Sequence, residues 1–211
     1  RLAALMTAFG QNVLADESAY RLTLATEADM AGLPAFVRDA ARQAAADRGL
    51  PGAVITLSRS LIVPFLTFSQ RRDLREAAWR AWTTRGEHDG PTDNRGVIRE
   101  ILELRAEQSA LLGYPSFADY ALANTMARTQ ASVMRLLDDV WSRALPALER
   151  ERAELMAQMK EQGATHTIEP WDWRYWAEQV RQRRYAVDDA EVKPFFALDR
   201  MVAAAFDCAE R

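Results

Sequence analysis

Two histidines set how far metal chemistry can be taken in this sequence. A catalytic zinc normally takes three protein ligands, often two His one helical turn apart in His-Glu-x-x-His, with the Glu as general base toward the metal-bound water. His88 and His166 are the only histidines, they are far apart, and neither opens that motif. His88 lies in Glu87-His88-Asp89, which could be part of an oxygen-rich metal site, although a solvated loop is the simpler account. His166 precedes Glu169 in a Gly- and Thr-containing linker and reads as a surface histidine. Nucleophilic chemistry fares no better: Cys208 falls on the apolar side of a helix, where free Cys is commonly buried and inert, and Ser69 reads as a cap. The pairs Asp138-Asp139 and Asp188-Asp189 match exposed helical positions and helix starts better than an acid-base pair. No Gly-rich phosphate loop is present.

The densest chemical feature is Pro170-Trp171-Asp172-Trp173-Arg174-Tyr175-Trp176. Pro at a first helical position and an acid in the first turn predict a helix starting at Pro170, with Asp172 complementing its dipole. Three Trp and a Tyr in so short a stretch suit a packed aromatic helix. Arg181, Arg183 and Arg184 form a basic cluster further along the same helix.

The elements that would position these residues are mainly helical, since Ala, Leu, Arg and Glu abound and Gly and Pro fall mostly between periodic segments. After an N-terminal helix, Tyr20 to Leu24 alternates and is β-prone, and Thr26-Glu27-Ala28-Asp29 is a capping-box pattern opening a helix that runs to near Gly49. Ala53 to Leu57 is a second β-prone stretch that could pair with the first as a small hairpin. Leu74, Ala78, Ala81 and Trp82 make one apolar face of a helix from Gln70 to about Arg85, with Arg71, Arg72, Arg75 and Arg80 on its other faces. The loop Gly86 to Asn94 breaks it. Val97, Ile101, Leu104 and Leu111 define the next helix, closed by Gly113, and Ser116 with Asp119 caps a short one. The longest element runs from Thr129 to about Gln162, on the order of 50 Å, with Pro146 inside it predicting a kink. Val133, Leu137, Val140, Ala144, Leu148, Leu155 and Met159 supply its apolar positions.

Composition excludes several classes. The 27 basic and 30 acidic residues are interleaved, giving a formal charge of −3, which removes the usual electrostatic case for nucleic acid. One Cys cannot form an intrachain disulfide, which suits a cytoplasmic protein. No stretch approaches the roughly 20 consecutive apolar residues of a membrane helix; the nearest is the short run from Leu61 to Phe68. The 211 residues begin with Arg1, and Met201, Val202, Ala205 and Phe206 form an apolar face still unfinished at Arg211. The expectation is a helix cut short in a portion of a larger protein.

Several motifs fall in a fixed order: Val54-Ile55-Thr56-Leu57; Phe68-Ser69-Gln70-Arg71-Arg72-Asp73-Leu74-Arg75-Glu76; Leu104-Arg105-Ala106-Glu107-Gln108 with Leu111-Leu112-Gly113-Tyr114; Ser116-Phe117-Ala118-Asp119-Tyr120; Met126-Ala127; the Pro170 to Trp176 run; and Glu191-Val192-Lys193-Pro194-Phe195-Phe196. No single one is specific. In that order they resemble the thimet oligopeptidase and peptidyl-dipeptidase Dcp family of zinc metallopeptidases, from about Tyr20 onward, with wording closest to bacterial Dcp. The resemblance implies a mainly α fold with one small β-hairpin, forming an elongated helical part of a shell divided by a deep channel. It also implies a His-Glu-x-x-His motif and a further Glu ligand in a C-terminal catalytic region that this sequence does not reach, so no metal or catalytic residue carries over to any position here.

On that resemblance, residues 1–211 are the N-terminal and central helical portion of a larger peptidase. Its expected role is to form a channel while the complete enzyme releases C-terminal dipeptides from short peptides. Zinc belongs to the full-length enzyme and none to this chain. The expected partners are short peptides and the missing catalytic region, with neither nucleic acid nor membrane involved. The compartment is expected to be the cytoplasm, with the periplasm open. If the chain contributes to the channel, the candidates are Trp171, Asp172, Arg174 and Tyr175, and an Arg suits a peptide's terminal carboxylate through bidentate pairing. The rival reading is a stand-alone helical scaffold that works through protein contacts.

Overall fold

The computed structural model describes residues 1–186 and 192–210. It is mainly helical with one two-stranded antiparallel sheet. Helix α1 (Leu2–Ala19) leads into strand β1 (Leu22–Leu24), a 3-10 turn (Glu27–Met30), helix α2 (Ala35–Ala46) and strand β2 (Ala53–Ile55). The strands pair with Leu22 opposite Ile55 and Leu24 opposite Ala53. They do not form a tight hairpin, because the connection carries the whole of α2. That helix buries Val37, Ala41 and Ala45, and every residue of β2 is buried as well.

The expected helix from Thr26 to near Gly49 is therefore two pieces. The box at its start is real: the Thr26 N–H donates to Asp29 Oδ2 at 2.9 Å. Pro34 then opens α2, after a backward bend at Gly32, where φ is +80°. A Cβ at Gly32 would lie 2.5 Å from the Phe68 carbonyl oxygen and 2.7 Å from Gln70 Cγ. The same contact brings the Gln70 N–H to the Ala31 carbonyl at 3.0 Å. Only a residue without Cβ fits both the dihedral and the approach.

Helix α3 (Arg59–Phe68) is absent from the sequence-based expectation. Leu61, Ile62, Phe65 and Leu66 are all buried, and a helix covered on most sides loses the apolar–polar period that betrays amphipathic helices. Pro64 inside it disguises it further. Around α3 the main core gathers Val37, Ala41, Ile55, Leu57, Phe65 and Ala78. Helix α4 (Arg72–Thr83) follows after the bend at Ser69.

Helix α5 (Arg95–Leu111) lies along α1, and α6 (Phe117–Leu122) packs on α5. The capped start at Ser116 is as expected, its side chain accepting the Asp119 N–H at 3.2 Å. The loop between α4 and α5 is anchored to α1. Asp16 Oδ2 accepts the Gly86 N–H at 2.6 Å, and the buried Asn94 side chain donates to the Phe9 carbonyl at 3.1 Å. Within that loop Asp93 accepts from both the side chain and the N–H of Arg95, which holds its carboxyl down at about 2.

Helix α7 (Gln130–Glu161) runs unbroken through Pro146 for 32 residues, with the Thr129 side chain capping it. Its C-terminal end and helix α8 (Trp173–Tyr185) share a second core of Leu155, Met159 and Trp176. A 3-10 turn (Lys193–Phe196) and helix α9 (Leu198–Ala209) follow, and α9 buries none of its residues. The accessible surface is 14345 Å², against about 9,900 Å² for a compact monomer of this mass. Among the described residues no helix is long and apolar enough to cross a membrane.

Two outcomes are expected. Gly49 has φ +65° but open space around the missing Cβ, so Gly49→Ala costs about 1 kcal/mol of conformational strain. Gly32→Ala adds a backbone collision and costs roughly 2–4 kcal/mol; equal shifts of the two urea midpoints would remove the close-approach account. The folded pKa of Asp93 lies below its ordinary 3.8, so the group stabilises the fold above about pH 4 and loses that contribution as pH falls toward 2. A side-chain NMR titration of Asp93 should show a midpoint near 2, and Arg95→Ala should return it toward the ordinary value.

Candidate functional site at the turn before helix α8

Arg72 and Arg75 stand three residues apart on α4 and so share one of its faces. Facing them is a turn that the sequence builds tightly. Pro170 fixes φ at the second position, the Asp172 N–H donates to the Glu169 carbonyl at 2.9 Å, and the Glu169 N–H donates back to Asp172 Oδ2 at 3.2 Å. Helix α8 therefore starts at Trp173 and not at Pro170. Asp172 occupies the N-cap position without capping the helix through its side chain, because its carboxylate turns toward α4 instead.

That carboxylate is completely buried, at 0% exposure. Arg75 Nη2 donates to Oδ1 at 2.8 Å, and Arg72 donates through Nε at 3.1 Å and Nη2 at 2.9 Å. Arg75, itself only 2% exposed, also donates to the Ser69 carbonyl at 2.7 Å and the Trp171 carbonyl at 3.2 Å. Its guanidinium lies 4.3 Å from the centre of the Tyr175 ring. Burial pushes the Arg75 pKa below its ordinary value, with Asp172 and Tyr175 pulling the other way; an arginine stays protonated regardless. Two guanidinium charges thus meet one carboxylate, with His166 Nε2 a further 3.8 Å from Oδ2.

The Trp171 ring carries the clamp outward. Trp79 packs on it at 5.7 Å between centres, and the guanidiniums of Arg80 and Arg72 lie at 4.9 and 5.5 Å from its centre. The indole N–H groups of Trp171 and Trp176 are buried without a hydrogen-bond partner among the described residues.

Of the four channel candidates, the structure places Trp171 and Asp172 inside, Tyr175 half-buried on Arg75, and Arg174 exposed. The outward position expected for Arg75 is corrected: Asp172 draws it into the interior. Arg72 and Arg75 went unrecognised as partners of Asp172, although an Arg-x-x-Arg face and an Asp set among tryptophans were the available signal. The basic cluster is not a loose patch. Arg183 donates to Gln158 Oε1 at 2.7 Å and pairs with Glu161, Arg184 pairs with Glu154, and Arg181 pairs with Glu178 at 2.7 Å.

Elsewhere, His88 is half-exposed and held by Asp16 at 2.8 Å. Burial raises the Asp16 pKa, but hydrogen bonds from Thr92, Gly86 and His88 outweigh it and leave the carboxyl below its ordinary value. Ser69 ends α3, and its hydroxyl accepts the Arg71 N–H at 3.3 Å. Cys208 is exposed, not buried. Asp139 pairs with Arg143 on α7, and Asp188, Asp189 and Glu191 lie outside the described residues. Among the described residues no three His, Cys, Asp or Glu side chains are grouped to hold a metal. The described side chains therefore offer no ligand group for a zinc, which the resemblance assigns to a region outside this sequence, and no chemical step is assigned through one.

The clamp, from Arg72 on α4 to Asp172 before α8, falls within residues 65–211, which match the model of Peptidase family M3. The chain belongs to peptidase family M3. Its M3 relatives include oligopeptidase A of Haemophilus influenzae, 34% identical over all of this chain and 32% of the relative. Oligopeptidase A of Escherichia coli is 33% identical over the same shares. The dipeptidyl carboxypeptidase of Salmonella typhimurium is 32% identical over 95% of this chain and 30% of the relative. The chain thus spans about a third of the length of the curated M3 proteins it matches. Identity does not separate the oligopeptidase A relatives from the dipeptidyl carboxypeptidase, so the motif wording that favoured Dcp stands without support from identity.

Asp172→Ala leaves the buried Arg75 guanidinium unpaired and should destabilise the chain by about 3–5 kcal/mol. Arg72→Ala removes a partly exposed partner, 35% exposed, and should cost about 1 kcal/mol. A double-mutant cycle of Asp172→Asn with Arg75→Met, followed by urea denaturation, should give a double variant far less damaged than the sum of the singles; additive losses would mean the pair is not coupled.

Proposed function

We propose that this chain is the non-catalytic, channel-forming portion of a zinc-dependent oligopeptidase that releases C-terminal dipeptides from short peptides. The bond is hydrolysed by a part of the polypeptide outside this chain. The observation that carries this reading is membership of family M3 over residues 65–211 in a chain whose described residues group no metal-binding side chains. The names of the relatives, oligopeptidase A and dipeptidyl carboxypeptidase, support an oligopeptide substrate and the dipeptide mode of release.

The clamp gives this role a physical content. It fixes the first turn of α8 against α4, so that Arg174 is presented from a rigid base. A surface Arg so held can meet a peptide's terminal carboxylate through two parallel hydrogen bonds, and less is lost in ordering it than for a free side chain. Arg174 is thus the candidate that meets substrate, while Asp172 positions it, Trp171 packs behind it and Tyr175 steadies Arg75.

The test uses the complete polypeptide that carries this sequence, with short peptides as substrate. It should release C-terminal dipeptides, lose activity to a chelator and regain it with zinc; the 211-residue chain alone should do neither. Arg174→Ala should raise KM for peptides with a free terminal carboxylate by roughly tenfold and leave amidated peptides unaffected. Unchanged kinetics with lowered stability would remove that role, and a complete polypeptide without peptidase activity would leave the scaffold reading in front.

A further inference from the structure

The apolar stripe on α7 is covered at one end only. At the C-terminal end Leu155 and Met159 are buried against Trp176 of α8. The same face resumes seven residues before Leu155, past Arg152, as Leu148, Leu145, Trp141, Leu137 and Met134, spaced among themselves by three or four residues, which keeps them on one side of the helix. Among the described residues these side chains stay open: Trp141 is 66% exposed and Leu137 54%. Val140 widens the face and is exposed too. An apolar arc of this width is the pattern of a helix facing a core, and exposed contiguous patches of this kind mark interaction sites.

We infer that the stripe from Met134 to Leu148 is the seat of a further helix from the part of the M3 polypeptide that this chain does not span. Three observations select that occupant. The stripe lies on the same face as the seam already closed by α8, two helical turns further along and past Arg152, so a second helix placed beyond α8 would lengthen an existing interface. The surface left open exceeds that of a compact monomer by roughly 4,500 Å², more than one partner contributes to a standard-size protein interface, about 800 Å². The relatives are about three times the length of the match, which supplies a partner of the required size within one polypeptide. Along one edge of the stripe stand Asp138 and Glu149, the latter paired with Arg152 at 3.7 Å, so the docking helix carries Lys or Arg opposite Asp138. The inference rests on the proposed function in placing this chain within a longer peptidase.

Hydroxyl-radical footprinting tests it without any substitution, since Met134 and Trp141 are themselves reactive reporters. In the complete polypeptide their oxidation should fall about tenfold or more, relative to the 211-residue chain, on burial in a stable core. Dose is normalised with a free peptide, and the chain is run at two concentrations alongside sedimentation. Equal oxidation in both proteins would overturn the inference. Protection in the short chain that appears only as it dimerises would overturn it in favour of a second copy. Peptidase activity is read on the same sample: an active protein with an oxidisable stripe fails this inference alone, whereas a protected stripe in an inactive protein fails only the proposed function. In the complete protein Trp141→Glu should lower the melting temperature by several degrees, whereas Arg135→Glu, off the stripe, should leave it in place.

Discussion

One buried carboxylate joins the two halves of this chain. Asp172 accepts from Arg72 and Arg75 on α4 and from the turn that starts α8. Through it, and through the packing of α8 on α3, the α7–α8 pair is fixed to the core built on β2 and α3. Removing a carboxylate from water is costly, and a hydrophobic contact of the same size would often stabilise as much. The arrangement gives direction instead. A guanidinium has a fixed fork of donors, and Arg75 uses it on three acceptors in two places in the chain: the Ser69 carbonyl at the end of α3, and the Trp171 carbonyl and Asp172 carboxylate of the turn. Those three are met together in only one relative placement of α4 and α8.

Much of the fold was legible because its signals are local. The cap at Ser116, the break at Gly86, the two β-prone stretches and the full extent of α7 follow from residues close together in sequence. What escaped the sequence depends on what lies across the core. Helix α3 is covered on so many sides that its period vanishes. Arg75 is the same lesson with a charge: a helical wheel assigns an Arg to solvent, and only a distant Asp reverses that. The start of α8 moved by three residues because the Glu169–Asp172 turn, not the dipole, claims the acid.

The candidate site divides along the same line. The run from Pro170 to Trp176 draws attention by composition, but composition does not say which of its residues face water. Burial does: Trp171 and Asp172 are structural members of the clamp, and Arg174 alone among the four candidates presents its charge outward. The basic residues after it read in the sequence only as a cluster on the same helix. In the fold Arg183 and Arg184 meet acids of α7, so their charge ties α8 to α7 at a second line of contact.

Helix α7 shows most directly where apolar sequence and burial part company. Its apolar period runs on both sides of the charged stretch 149–154, yet its burial is confined to the end that α8 reaches. Intrinsic propensity does not require such a stripe, since an isolated helix of this length is served as well by polar residues and i,i+4 ion pairs such as Asp139–Arg143. A sustained apolar face lowers the free energy only where something excludes water from it. The same argument applies to α9, whose Leu198, Val202 and Phe206 share a face and are all exposed. Both helices thus carry apolar faces left open among the described residues, and the proposed channel role would depend on those faces being covered.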